Sequence, residues 1–169
     1  MGDGDNTFYL KTWRISTLRE LDAGGRCCGI TDSGLRSATQ LVMLNAWRNS
    51  KITTVAPFGA TLRELDASST DVGILAETCG ITDSGLCNAT QLVKLNAEGN
   101  SKITTVAPFA STLRDLGARY ACGISDSGLR YATQLVKLKA SSNSKITMVA
   151  PFGSTMRELN ATENCGITV

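Results

Sequence analysis

The sequence predicts a strand-dominated α/β solenoid, with a parallel sheet on its concave face and turns or 3-10 segments on its convex face. Three observations carry that reading. The motif L-x-x-L-x-A, Met-led in its final copy, opens seven segments at Leu18, Leu41, Leu62, Leu92, Leu113, Leu135 and Met156. The last four starts are separated by 21, 22 and 21 residues, a period of stacked coils none of which buries its apolar side alone. Within each motif the apolar residues alternate, as in a short strand with one face inward.

The coils come in pairs. "TLRELDA" leads into a Cys-Gly-Ile-Thr stretch, best seen in "CGITDSGL" from Cys79, whereas "QLVKLNA" leads into "NSKITTVAPF". In the second type the inward set continues with Ile52, Ile103 and Ile146, then Phe58, Phe109 and Phe152. In the first it continues with Ile30, Ile81 and Ile124, then Leu35, Leu86 and Leu129. Pro57, Pro108 and Pro151 lack an N–H and exclude regular sheet or a long helix from the convex side. Gly34, Gly85 and Gly128 are expected to permit tight turns there. Asn49, Asn100, Asn143 and Asn164 recur just past the strand, where inward amides would bond the backbone of neighbouring coils as an asparagine ladder.

"LVKLNAEGNSKI", residues 92–103, resembles the leucine-rich-repeat pattern L-x-x-L-x-L-x-x-N, with Ala97 in the third leucine position and Asn100 in the asparagine position. "CGITDSGL" resembles the segment after the strand in the cysteine-containing subtype. The paired coils are also similar to those in proteins of large DNA viruses that infect amoebae. The resemblance implies a leucine-rich-repeat horseshoe and a protein that binds other proteins on its concave face. Residues 1–17 would form a partial N-terminal cap, supplied by Phe8, Tyr9, Leu10 and Trp13. Residues 18–169 would form seven coils, the last incomplete.

With 169 residues, 42% hydrophobic and 19% charged, the chain has the composition of a globular protein. A net charge of +2, with Lys and Arg dispersed among Asp and Glu, gives no electrostatic footprint for nucleic acid or an anionic membrane. No apolar run suits a secretory or membrane-spanning segment, so a cytoplasmic location is expected. The absence of histidine and of C-x-x-C removes the commonest zinc sites and every His-based catalytic dyad or triad. No enzyme activity, metal or cofactor is expected. Cys28, Cys79, Cys122 and Cys165 occupy alternate coils, about 9.6 Å apart at a strand spacing near 4.8 Å, beyond disulfide reach. Cys27 and Cys87 fall off that ladder and are expected to be the more reactive thiols.

Function is expected where the frame stops repeating. Along the strands Glu64, Lys94, Asp115, Lys137 and Glu158 alternate in sign, a ladder that sets register. The pair just past each strand varies instead: Gly24-Gly25, Trp47-Arg48, Ser68-Ser69, Glu98-Gly99, Arg119-Tyr120, Ser141-Ser142 and Thr162-Glu163. Trp47, Arg48, Arg119 and Tyr120 in this stripe have the chemistry of interface hot spots. The third coil also carries an insertion, "TDVGILAET" from Thr70, whose Val72, Ile74 and Leu75 form an apolar tip expected at the rim. These seven residues are the candidate partner-binding set, the partner being a protein and neither nucleic acid nor membrane. Met156, Leu159 and Ile167 would form an uncovered layer on the final coil, which either a homodimer joined C-terminus to C-terminus or further coils of a longer array would bury.

Overall fold

The computed structural model describes residues 15–69 and 78–167. Its frame is a single seven-stranded parallel sheet in sequential order, formed by β1 (Glu20–Asp22), β2 (Met43–Asn45), β3 (Glu64–Asp66), β4 (Lys94–Asn96), β5 (Asp115–Gly117), β6 (Lys137–Lys139) and β7 (Glu158–Asn160). Leu21, Leu44, Leu65, Leu95, Leu116, Leu138 and Leu159 lie opposite one another across the whole sheet. The register is the one the motif starts dictate, because a one-residue slip would turn each leucine toward solvent. The result is a strand-rich repeat array. Among the described residues no helix is long and apolar enough to cross a membrane.

Behind the sheet the chain turns in short pieces. Single-turn 3-10 segments at Ala56–Phe58, Ala107–Phe109 and Ala150–Phe152 hold the three prolines, as expected where no N–H is available for a ladder. In the other coil type the D-S-G-L stretch forms α1 (Asp32–Leu35), the 3-10 turn Ser84–Leu86 and α2 (Asp126–Leu129). The core between sheet and turns comprises the inward leucines, isoleucines, phenylalanines and alanines, with Cys79 and Cys122 buried among them. Residues 1–14, including Phe8, Tyr9, Leu10 and Trp13, and the insertion residues Val72, Ile74 and Leu75 lie outside the described residues.

Polar side chains lock coil to coil. Asn49, Asn100 and Asn143 are buried, and each amide donates to two carbonyls of the preceding coil. Asn100 Nδ2 reaches Ala67 O at 2.9 Å and Ile81 O at 3.2 Å, and its Oδ1 accepts the Lys102 N–H at 3.0 Å. Asn164 departs from the expected ladder: it is exposed, with φ +45°, in the outermost described coil. On the back, Asp32, Asp83 and Asp126 each grip the following coil. Asp83 accepts the Thr104 N–H at 2.8 Å, the Thr104 hydroxyl at 2.6 Å and the Thr105 N–H at 3.3 Å. In return Thr61, Thr112 and Thr155 donate to Leu41 O, Leu92 O and Leu135 O, each at 2.8 Å.

The glycines of "CGITDSGL" correct the turn expectation. Gly25 and Gly99 are the glycines with positive φ among the described residues, so Gly34, Gly85 and Gly128 are not needed for a left-handed turn. Gly85 and Gly128 are needed because they lie against the Thr53 and Thr104 carbonyls, where a Cβ would collide. The glycine after each cysteine has the same reason: a Cβ on Gly123 would fall 2.5 Å from Ser101 O and 2.6 Å from Ile103 O.

Candidate binding surface

The solvent-facing side of the sheet carries two rows of polar side chains. In the first, Lys94 Nζ lies 3.4 Å from Glu64 and Lys137 Nζ 2.7 Å from Glu158. The Glu158 hydrogen bond raises the pKa of Lys137. Asp115 stands in register between the two lysines.

The second row was not legible as a functional feature, yet it shapes the variable stripe. Asp22, Asn45, Asp66 and Asn96 each accept the backbone N–H two residues on, as in Asn45 Oδ1 with Trp47 N–H at 3.0 Å and Asn96 Oδ1 with Glu98 N–H at 3.2 Å. This Asx turn swings the chain out of the strand. The next residue has positive φ after three of these turns, at Gly25, Arg48 and Gly99, and the same conformation recurs at Glu163 and at Tyr120 and Ser142, which follow Gly117 and Lys139, residues whose side chains cannot accept such a bond. Glycine at two of those positions, with Asp or Asn three residues earlier, was the available signal.

The stripe therefore has structure of its own. Trp47 is 37% exposed, and the Arg48 guanidinium carbon stands 5.0 Å from its ring centroid in a cation–π contact. Tyr120 is 52% exposed with φ +62°, and beside it Arg119 Nε lies 3.8 Å from Glu98 Oε1. These two aromatic–arginine pairs leave β2 and β5, three strand spacings or about 14 Å apart. Between them the stripe is low: Ser68 and Ser69 are buried. Ser68 Oγ donates to Asp66 Oδ1 at 2.5 Å, and Ser69 Oγ accepts the Cys79 N–H at 2.9 Å. Ser141 is likewise buried, bonded to Asn160 at 2.5 Å. The stripe has two prominent stations over a low polar floor.

Alongside it runs an open cleft of 340 Å³ over β2 to β6, lined by Met43, Glu64, Asp66, Lys94, Glu98 and Lys139 among others. Gly117 deepens it, and Asn96 Oδ1 and Glu98 Oε1 lean to 2.8 and 3.1 Å from where a Cβ would stand. Among the described residues no cluster of three or more Cys, Asp and Glu is arranged to hold a metal ion.

The six cysteines are free, with Cys27 and Cys87 exposed, Cys28 and Cys165 half-buried, and Cys79 and Cys122 buried. Burial pushes the Cys79 and Cys122 thiols up to about 11, which keeps them protonated and unreactive near neutrality. In the final coil Leu159 is 40% exposed and Met156 and Ile167 are half-buried, whereas the corresponding Leu116 and Leu138 are fully buried. No protein-family model matches the sequence, and no curated protein matches it.

Proposed function

We propose that this chain is a leucine-rich-repeat horseshoe of the cytoplasm that acts as a non-enzymatic protein-binding module. Its partner lies along the concave side of the sheet and its rim, with Trp47 and Tyr120 as aromatic anchors and Arg48 and Arg119 as their charged neighbours. The observation that carries this reading is Tyr120, a large aromatic side chain more than half exposed on a left-handed backbone. The left-handed backbone recurs at Arg48, Ser142 and Glu163 and belongs to the frame, so what distinguishes Tyr120 is the exposed ring. Trp47, presented beside Arg48, repeats the same chemistry on another coil.

The test is quantitative capture from an extract of amoebal cells, the source to which the viral resemblance points. Trp47→Ala and Tyr120→Ala should each weaken capture of the same partner at least about tenfold, as expected for anchor residues. Lys94→Ala, in the charge ladder, should leave it unchanged. Equal capture by all three variants would contradict the reading.

A second reading, a structural protein that self-associates through its C-terminal coil as a homodimer, is favoured by Leu159, a core-position leucine left 40% exposed.

A further inference from the structure

One position on the strands departs from the frame in two successive coils. The residue after the inward leucine is Asp22, Asn45, Asp66 and Asn96 in the first four coils and Asn160 in the seventh, but Gly117 in the fifth and Lys139 in the sixth. The backbone requires neither change. Gly117 does not have a positive φ, and Tyr120 and Ser142 keep the left-handed turn without the side-chain acceptor that precedes it elsewhere. The atoms nearest to a Cβ built on Gly117 are the side-chain atoms Asn96 Oδ1, Glu98 Oε1 and Glu98 Cγ, whereas Gly85 and Gly123 meet backbone carbonyls. The packing of the coils does not need a glycine here.

What the glycine does is open a gap in the row. Gly117 lies in the lining of the 340 Å³ cleft, in register with Asn96 on one side and Lys139 on the other, and Asp115 stands two residues back on the same face. The acceptors around the gap have capacity to spare. Glu64 lies against Lys94, and Asp66 is taken up by Ser68 and Asn96. Asn96 Oδ1, by contrast, accepts one N–H, that of Glu98, and keeps a second lone pair. Glu98 has Arg119 at 3.8 Å, beyond hydrogen-bond length. Asp115 is in register with Lys94 and Lys137 but, among the described residues, pairs with neither, since those lysines turn to Glu64 and Glu158.

We propose that the cleft at Gly117 receives an arginine side chain of the protein partner, its guanidinium held among Glu98, Asn96 and Asp115. The proposal rests on the protein-binding reading above and states what the partner brings. Carboxylates outnumber cations around the gap, so the charge that complements it is positive. Acceptors on more than one side suit the planar fork of a guanidinium, with its five N–H donors, better than the point charge of an ammonium. Lys139 repels a cation, so it bounds the site on the β6 side and directs the guanidinium toward Glu98. Because the cleft runs from β2 to β6, a segment anchored at Trp47 and Tyr120 passes beside it.

An NMR titration of the full chain with N-acetylarginine amide tests this without the partner. Saturable amide shifts should appear at Glu98, Gly117 and Lys139, and the neutral isostere N-acetylcitrulline amide should bind at least about tenfold more weakly. Gly117→Asn, which puts back the residue of neighbouring coils, should cut arginine binding at least about tenfold while keeping the wild-type melting temperature. Glu98→Gln, which removes a charge at constant shape, should weaken it as much, so the test does not depend on how the packing accepts the new side chain. Lys139→Asn should tighten it by about threefold, because a like charge is removed. No saturable shift, equal binding of the citrulline probe, or undiminished binding by Glu98→Gln would overturn the proposal, and N-acetyllysine amide bound as tightly would overturn the assignment to arginine. Such a failure with capture still dependent on Trp47 and Tyr120 would leave the protein-binding reading standing. Arginine binding at Gly117 with capture indifferent to both aromatics would sink that reading instead.

Discussion

Asp126 shows how a single side chain binds two coils. Burial alone would raise the pKa of its carboxyl, but bonds from the Thr147 hydroxyl, the Thr147 N–H and the Met148 N–H outweigh that and hold it below the ordinary value. A carboxyl depressed on folding contributes stability above its unfolded pKa, and that contribution is lost as the pH falls through the folded pKa. Asp126→Asn should therefore lower stability at neutral pH by less than about 1 kcal/mol, since water screens a part-exposed carboxylate. The deficit should shrink as the pH falls below about 4, where the carboxyl of the unfolded chain takes up its proton before the folded one does. Denaturant melts of both chains between acid and neutral pH would show the two curves converging. A constant gap across that range would contradict the role given to the charge. From sequence alone Asp32, Asp83 and Asp126 read as part of a repeated phrase, because their partners lie 21 and 22 residues away in the next coil.

Each coil is an element whose shape is set by its neighbour. The strands were legible because period-two alternation is a local signal, and the proline turns were legible because a missing N–H is a local fact. The glycines were not, since their reason is the approach of another coil's carbonyls and nothing in their own φ. Gly123→Ala should thus destabilise the array by about 2 kcal/mol or more, the range for forcing an extra group into a packed interior. Gly29→Ala, where no described residue lies within 4 Å of a built Cβ, should stay within about 0.5 kcal/mol of wild type. Chemical denaturation of the two single variants measures the contrast, and similar losses would contradict the packing account. The left-handed stripe was hidden in the same way: Gly25 and Gly99 mark it, but Arg48, Tyr120, Ser142 and Glu163 do not.

Across the whole molecule, stacking divides the residues into a shared frame and two prominent stations on one edge. The frame followed from the sequence because the same interactions recur at alternate junctions and each copy of the paired motif restates them. The stations followed only in part: Trp47 and Tyr120 are exposed as expected, whereas Ser68, Ser69 and Ser141 turn inward to satisfy their neighbours. The central claim, that alternate coils stack in one register with the cysteine ladder inside, is tested most directly by timed alkylation of the native protein followed by mass spectrometry. The account predicts that Cys27 and Cys87 are modified first, and that Cys79 and Cys122, buried and held as thiols with pKa values of about 11, are modified only when the array unfolds. Modification of Cys79 or Cys122 as fast as Cys87, or a native disulfide between any two ladder cysteines, would contradict it.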